Sequence, residues 1–402
     1  MIGRRGSSAR LLALLLALLT LVASVHDAQA ASRKRRPARK RAPHRAARIV
    51  RGPTYASALV MEAETGRILY AKDIHAPRAP ASLAKMMLEL LTFEALRRGD
   101  LNLEKRVAVP SDIRGVYGSR VRLKVGEIVT IRDLLYATAI ASANDAATAL
   151  AVQLAGSPEA CVRLMNQRAR ELGMASTTYR NVHGLDRKNE PGNVTTAWDL
   201  SILARRLIEI PEALEISQTE YATVRGFQRI HTTNRLLGRC PGVDGLKTGY
   251  TGKAGFCLVS TAERGGMRLI SVVLGASSNT RRFSESADLL DRVYNEWQRV
   301  QVVAKGQDLG QTMAVHEGRL GSVRLVAGDD VSVLLPRRGQ SPEIRVAVAT
   351  PPSTRAPIAK GWTLGRVQVL VGDSVAAECP AVAAGTVPRR NPVVTFFESL
   401  MR

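Results

Sequence analysis

The chain has 402 residues, of which 45% are hydrophobic and only 4% aromatic, so it can hold more than one folded domain with cores built mainly from Leu, Val, Ile and Ala. Its formal net charge of +23 suits a nucleic-acid binder, yet ten Lys and Arg fall within residues 31–52, "ASRKRRPARKRAPHRAARIVRG", without a single acid. Much of the excess therefore belongs to a basic arm and says little about a folded surface.

The first thirty residues place Arg4, Arg5 and Arg10 before the apolar run "LLALLLALLTLVASV", and "AQA" (Ala28–Ala30) follows as a small-residue cleavage site. Residues 1–30 are expected to be a secretory signal peptide removed on export; a retained membrane anchor is the weaker alternative. Export removes nucleic acid as a partner for residues 31–52. They are expected to be a disordered arm, or one drawn to anionic lipid or cell-wall polymer. No later stretch has the apolar length of a spanning helix. Cys161, Cys240, Cys257 and Cys379 show no framework spacing, and all three full disulfide pairings stand open.

After the arm, "SALVMEAETGRILYAK" predicts a hairpin turning at Glu64-Thr65-Gly66. Helical periodicity runs over Ser82 to Arg97 and over residues 133–154, 158–172 and 196–209, with "NVHGLDRKNEPGN" as an intervening loop. Strands return in "GVDGLKTG", "GFCLVSTAE" and "MRLISVVLGA", followed by a helix from Arg282 to Trp297. Strands at both ends and helices between them predict one α+β domain over residues 53–297. Short alternating segments separated by Gly, Pro and Asp then predict a small all-β domain, residues 298–388, serving as spacer or binding module. In the last segment, residues 389–402, Val393, Phe396, Phe397, Leu400 and Met401 share one helical face. It reads equally as a packed helix or as an amphipathic segment on a membrane.

Three patterns carry chemistry. In "PASLAKMM", Ser82 and Lys85 are three apart on a predicted helix, so the amine can reach the hydroxyl. Burial and a nearby cation would lower the lysine's pKa and let it take the serine's proton. The bland alternative is a capping serine with a lysine reaching to solvent. In "ASANDAATAL", Ser142 and Asn144 lie where one helical stretch yields to another and can extend that network; Ser142 with Asp145 also reads as a capping box. In "GVDGLKTGYTGKAGFCLV", Lys247 and Thr248 alternate on a strand, and Gly249 lets another backbone come close. Lys247 would hold Lys85 deprotonated and attract a carboxylate; an edge-strand lysine guarding against aggregation is the alternative.

Taken in order, S-x-x-K, S-x-N and K-T-G form a motif set known from β-lactamases and penicillin-binding proteins. "PASLAKMM", "SANDA", "NVHGLD" and "VDGLKTGYT" together resemble the D-alanyl-D-alanine carboxypeptidases of low-molecular-mass penicillin-binding proteins. The resemblance runs from Ala56 to Trp297 and continues more faintly to the end. It implies a β-lactamase/transpeptidase-like fold and a serine peptidase that removes the terminal D-alanine from peptidoglycan stem pentapeptides, with β-lactams as inhibitors. By the same resemblance Ser82 is the nucleophile and Lys85 its base. The N–H groups of Ser82 and Tyr250 form the oxyanion hole, and Ser142 and Asn144 complete the network. Lys247 and Thr248, beside Gly249, bind the substrate carboxylate, assisted by Arg282. His183 and Asp186 fix a loop. S-A-N replaces the S-D-N of class A β-lactamases and no E-x-x-x-N lies between Ser142 and Lys247, so penicillin is expected to form a long-lived acyl-enzyme.

The chain contains no G-x-S-x-G, H-E-x-x-H or G-x-x-x-x-G-K-[ST], and neither a metal nor another cofactor is expected. The alternatives are a D,D-endopeptidase using the same serine and a wall-binding scaffold without catalysis. The family's endopeptidases often lack the C-terminal β domain, which favours the carboxypeptidase. An exported protein of the periplasm or cell envelope is expected, with the basic arm and C-terminal segment as candidate peripheral contacts to the membrane.

Overall fold

The computed structural model describes residues 52–186, 189–339 and 342–391. The leader, the basic arm up to residue 51 and residues 392–402 of the C-terminal segment lie outside the described residues. The folded unit begins at Pro53.

Strand β1 (Ser57–Glu62) turns into β2 (Ile68–Lys72), and a 3-10 turn at Ala81–Ala84 leads into helix α1 (Lys85–Arg98). The short strands β3 (Arg106–Ala108) and β4 (Ile128–Thr130) precede α2 (Ile131–Ala139), α3 (Asn144–Ala155), α4 (Pro158–Glu171), α5 (Ala197–Ile208) and α6 (Pro211–Ser217). The hairpin β5 (Tyr221–Val224) and β6 (Gln228–His231) is followed by β7 (Val243–Thr251), β8 (Gly255–Arg264), β9 (Met267–Ala276) and α7 (Asn279–Glu296).

The main sheet runs β2-β1-β9-β8-β7, antiparallel throughout, so the first strand of this sheet in chain order pairs with its last. Both faces are covered, and the period-2 alternation divides residues between two cores. Leu59, Met61, Val259, Ile270 and Val272 face the helical subdomain. Ala58, Val60, Leu258, Leu269 and Val273 face α7 through Leu290 and Val293. With apolar residues wanted on both sides, these strands read as near-continuous hydrophobic runs.

Helix α1 lies inside the helical subdomain, and its first six residues, Lys85 to Leu90, are all buried. Gly99, left-handed at φ 80°, ends it. The predicted helix over residues 133–154 is two helices: the chain breaks between Ala139 and Asn144, with Ser142 left-handed at φ 57°. Helix α6 and the β3/β4 and β5/β6 pairs were not legible as elements, being too short for a periodic signal.

The β part begins at Trp297, directly after α7. Its strands are β10 (Trp297–Val303), β11 (Asp308–His316), β12 (Ser322–Ala327), β13 (Val331–Pro336), β14 (Ile344–Ala349), β15 (Ser353–Arg355), β16 (Thr363–Val371) and β17 (Ser374–Ala383). Strands β10 and β13 pair, and the others form a sheet of order β14-β16-β17-β12-β11-β15. Arg299 on β10 reaches back to Glu62, 3.1 Å away, and to Glu64; Arg337 Nε donates to the Tyr294 and Trp297 carbonyls, both at 2.9 Å. All four cysteines are free and buried, Cys161 and Cys257 in the core on the helical side, Cys240 under α7 and Cys379 in the β part, so none of the open pairings is formed. Burial pushes the Cys161 thiol up to about 12 and that of Cys257 up to about 11.

Candidate active site

The serine turn begins at Ala81, a non-glycine residue held left-handed at φ 50°. Ser82 follows inside the 3-10 turn, half-buried, and Lys85 opens α1 fully buried. Neither Pro80 nor Ala84, which stand at the two helix starts, makes a side-chain cap, and Ser82 caps nothing. Its Oγ instead lies 2.9 Å from Lys85 Nζ.

Two more groups approach the same nitrogen: Asn144 Oδ1 at 2.6 Å and the His183 carbonyl at 3.2 Å. The Asn144 amide has one orientation here, because its Nδ2 donates to the Tyr117 carbonyl at 2.6 Å. Both Asn144 Oδ1 and His183 O are therefore pure acceptors. An uncharged lysine amine has two N–H groups and one lone pair. The two acceptors take the N–H groups, and the lone pair is left facing Ser82 O–H. That is the hydrogen-bonding pattern of a base waiting for the serine's proton.

The electrostatics agree. Burial pushes Lys85 well below the usual lysine range, the Lys247 ammonium lowers it further, and Glu89 and Asp145 act in the opposite sense. Lys247 is itself buried, which brings it down to about 8; Glu89 raises it and Arg282 lowers it. The exposed edge-strand reading of Lys247 therefore fails. Among the described residues its Nζ has one long contact, 3.5 Å to the Thr248 carbonyl, so its charge remains available to a ligand.

β7 is the edge strand of the sheet and lies against the serine turn. A Cβ on Gly249 would come within 2.9 Å of Pro80 O and 3.2 Å of Ser82 N, so only glycine admits this approach. Thr248 Oγ1 lies 2.6 Å from Thr233 Oγ1. The Tyr250 side chain points outward, more than half exposed, stacked on Phe256 at 4.2 Å.

The family model described as D-alanyl-D-alanine carboxypeptidase matches residues 50–278. The chain belongs to that family. A second model, described as penicillin-binding protein 5, C-terminal domain, matches residues 297–389. The D-alanyl-D-alanine carboxypeptidase DacF of Bacillus subtilis is 33% identical over 350 residues, 86% of this chain and 88% of the relative. DacC of Escherichia coli, another D-alanyl-D-alanine carboxypeptidase, is 36% identical over 317 residues, 77% of this chain and 78% of its own length. Among solved structures, a peptidoglycan synthesis regulatory factor (PBP3) from Streptococcus pneumoniae aligns with a TM-score of 0.74 at 29% identity, covering 84% of this chain and 100% of that one. The fold is that of the penicillin-binding and transpeptidase proteins, α+β with a C-terminal all-β domain.

Against this family background, two residues chosen from sequence occupy places that differ from their expected contacts. Ser142 is buried beside the site, but its Oγ bonds to neither Ser82 nor Lys85. The capping box is also absent: Ala143 is the N-cap of α3, and Asp145 accepts from the N–H groups of Val121, Leu123 and Ala146. Arg282, pushed down to about 10 by burial, sits behind β7. Its Nη1 donates to the carbonyls of Gly249 at 2.9 Å and Cys257 at 3.3 Å, and the guanidinium lies 4.8 Å from the Phe283 ring centre. It braces the strand from the rear.

Sequence reasoning missed the backbone contributions. The His183 carbonyl reaches Lys85 from "NVHGLD", where Asn181 Oδ1 accepts from the N–H groups of His183 and Gly184. Gly184, left-handed at φ 82°, lies so close to the serine turn that a Cβ would fall 1.8 Å from Ala81 O. Glu89, a carboxyl in the apolar run after Lys85, was also passed over. Among the described residues no cluster of side chains would hold a metal ion.

Proposed function

We propose that this protein is a serine D-alanyl-D-alanine carboxypeptidase that trims the terminal D-alanine from peptidoglycan stem pentapeptides through an acyl-enzyme on Ser82. The observation that carries this reading is the buried Lys85 amine, whose N–H groups are taken by two carbonyls while Ser82 Oγ stands 2.9 Å away. Ser82 Oγ bonds to the carbonyl carbon of the penultimate D-alanine as its proton passes to Lys85 Nζ. The oxyanion is held by the N–H groups of Ser82 and Tyr250. Lys85 then gives the proton to the departing amine as the C–N bond breaks, and water hydrolyses the ester by the reverse route. Asn144 orients Lys85, and Ser142 relays protons once substrate has reorganised the site. Lys247 and Thr248 bind the substrate's terminal carboxylate, with Arg282 holding their strand in place. β-Lactams acylate Ser82 in the same manner.

A D,D-endopeptidase would use the same residues. The match of residues 297–389 to a C-terminal domain favours the carboxypeptidase. Purified protein should release free D-alanine from pentapeptide faster than it cleaves cross-linked dimers, and Ser82→Ala should do neither. D-alanine release by Ser82→Ala at the parent's rate would mean another nucleophile, and no release by the parent itself would leave the wall-binding scaffold.

We assign residues 53–297 to the catalytic domain, 298–388 to the β domain, 1–30 to an export signal and 389–402 to a peripheral membrane contact aided by residues 31–52. The enzyme then works in the cell envelope, on the outer side of the cytoplasmic membrane. Fractionation should find the full chain with membranes and a chain lacking residues 391–402 largely released; identical partition would remove that contact.

A further inference from the structure

We propose that Glu89 is the internal counter-charge of the site: its carboxylate balances the Lys247 ammonium while the site is empty, and the substrate's terminal carboxylate displaces it from that role. The inference rests on the proposed functions of Lys85 and Lys247.

Glu89 lies one turn after Lys85 on α1, in a stretch otherwise filled by Met and Leu. It is 6% exposed, and its Oε1 is buried without a hydrogen-bond partner. A buried carboxyl left unpaired is costly unless a nearby positive field compensates it. Here two buried lysines supply that field, and neither makes an ion pair with a carboxylate among the described residues. Inside a protein such a field acts beyond contact distance.

Lys247 from β7 acts on Glu89 most strongly, then Lys85 from its own helix. Among the other charges that act on the two lysines, Asp145 of α3, held by the N–H groups of Val121 and Leu123, raises Lys85, and Arg282 of α7, behind β7, lowers Lys247. The remaining helices packed on α1 bring groups already committed. Asp133 of α2 is held by Thr130 and the Arg225 N–H, Arg168 of α4 by Glu94, and Asp199 of α5 by Ser176 and Thr177. Glu89 is thus an uncommitted acid within the field of the two lysines. Burial lifts it to about 7, so that it can be ionised opposite Lys247 in the empty site.

Each limb of the pH profile belongs to one lysine. The base must be neutral, so kcat/KM rises as Lys85 loses its proton. The carboxylate anchor must be charged, so kcat/KM falls as Lys247 loses its own near pH 8. Ionised Glu89 favours the protonated form of both. Glu89→Gln should therefore move both limbs of the kcat/KM profile for D-alanine release in the same direction, toward acid, by about one pH unit. The height at the optimum should stay within about tenfold of the parent's.

A superimposable profile, or a loss of height with unmoved limbs, would overturn the proposal, since a purely structural role predicts the latter. A parent enzyme with no bell at all would overturn the reading of Lys85 and Lys247 first, and this inference with it. Should Glu89→Gln fail to fold, the parent labelled with carbon-13 at its glutamate carboxyls gives the answer. One carboxyl resonance should titrate near neutrality and move when a peptide ending in D-Ala-D-Ala binds; all glutamates titrating in the ordinary range would contradict it.

Discussion

Lys85→Arg should all but abolish acylation of the protein by penicillin while leaving it folded. The substitution keeps an N–H donor at the position but removes the one property the site is built to create, a neutral nitrogen at working pH. A guanidinium is always protonated in a protein, so it presents no lone pair to Ser82. Loss of a positioned general base lowers rate by about two to four orders of magnitude, and the longer, planar side chain would also disturb Asn144 and the His183 carbonyl. The measurement is the second-order rate of covalent labelling by a fluorescent penicillin, with thermal unfolding as the control for folding. A variant within about tenfold of the parent would show that the proton goes elsewhere.

The second large effect is expected from a residue without a side chain. Gly184→Ala places a Cβ 1.8 Å from Ala81 O, 2.3 Å from Ala81 C and 3.0 Å from Ser82 N. All three are backbone atoms, so no rotamer change relieves the overlap. The left-handed φ adds about 1–2 kcal/mol for any L-residue, and overpacking adds about 1–3 kcal/mol more. The loop must retreat from the serine turn, taking the His183 carbonyl away from Lys85. Acylation should fall at least about tenfold, and the protein should lose about 2–5 kcal/mol of stability. Gly226→Ala is the matched control. That glycine is also left-handed, at φ 73°, but nothing lies within 4 Å of its added Cβ. It should show the backbone cost alone and full acylation. Equal behaviour of the two variants would remove the contact between the loop and the serine turn as the cause.

Sequence was legible wherever one periodicity ran long enough. Helices α1, α3, α4, α5 and α7 and strands β7 to β9 were all foreseeable, and so was the reach from Lys85 to Ser82, because three residues on a helix return to one face. Gly249 was read rightly as a point of close backbone approach, although the partner backbone, Pro80 to Ser82, could not be named. The rest was hidden for physical reasons. A carbonyl such as that of His183 is offered by every residue, so its position depends on tertiary folding alone. Ala81 gives no sign of its left-handed conformation. Asp145 read as the partner of Ser142 but is held by the N–H groups of Val121 and Leu123, more than twenty residues earlier. Glu89 was visible as a charge in an apolar run, four residues after Lys85. Its importance appears only when β7 brings Lys247 to the same interior.

The role of Ser82 as nucleophile, activated by an uncharged Lys85, is tested most directly by treating the intact protein with penicillin, digesting it and locating the added mass. One long-lived adduct per chain is predicted, on Ser82, and none on the Ser82→Ala protein. An adduct on Ser142 or any other residue, or labelling of Ser82→Ala at the parent's rate, would contradict that role.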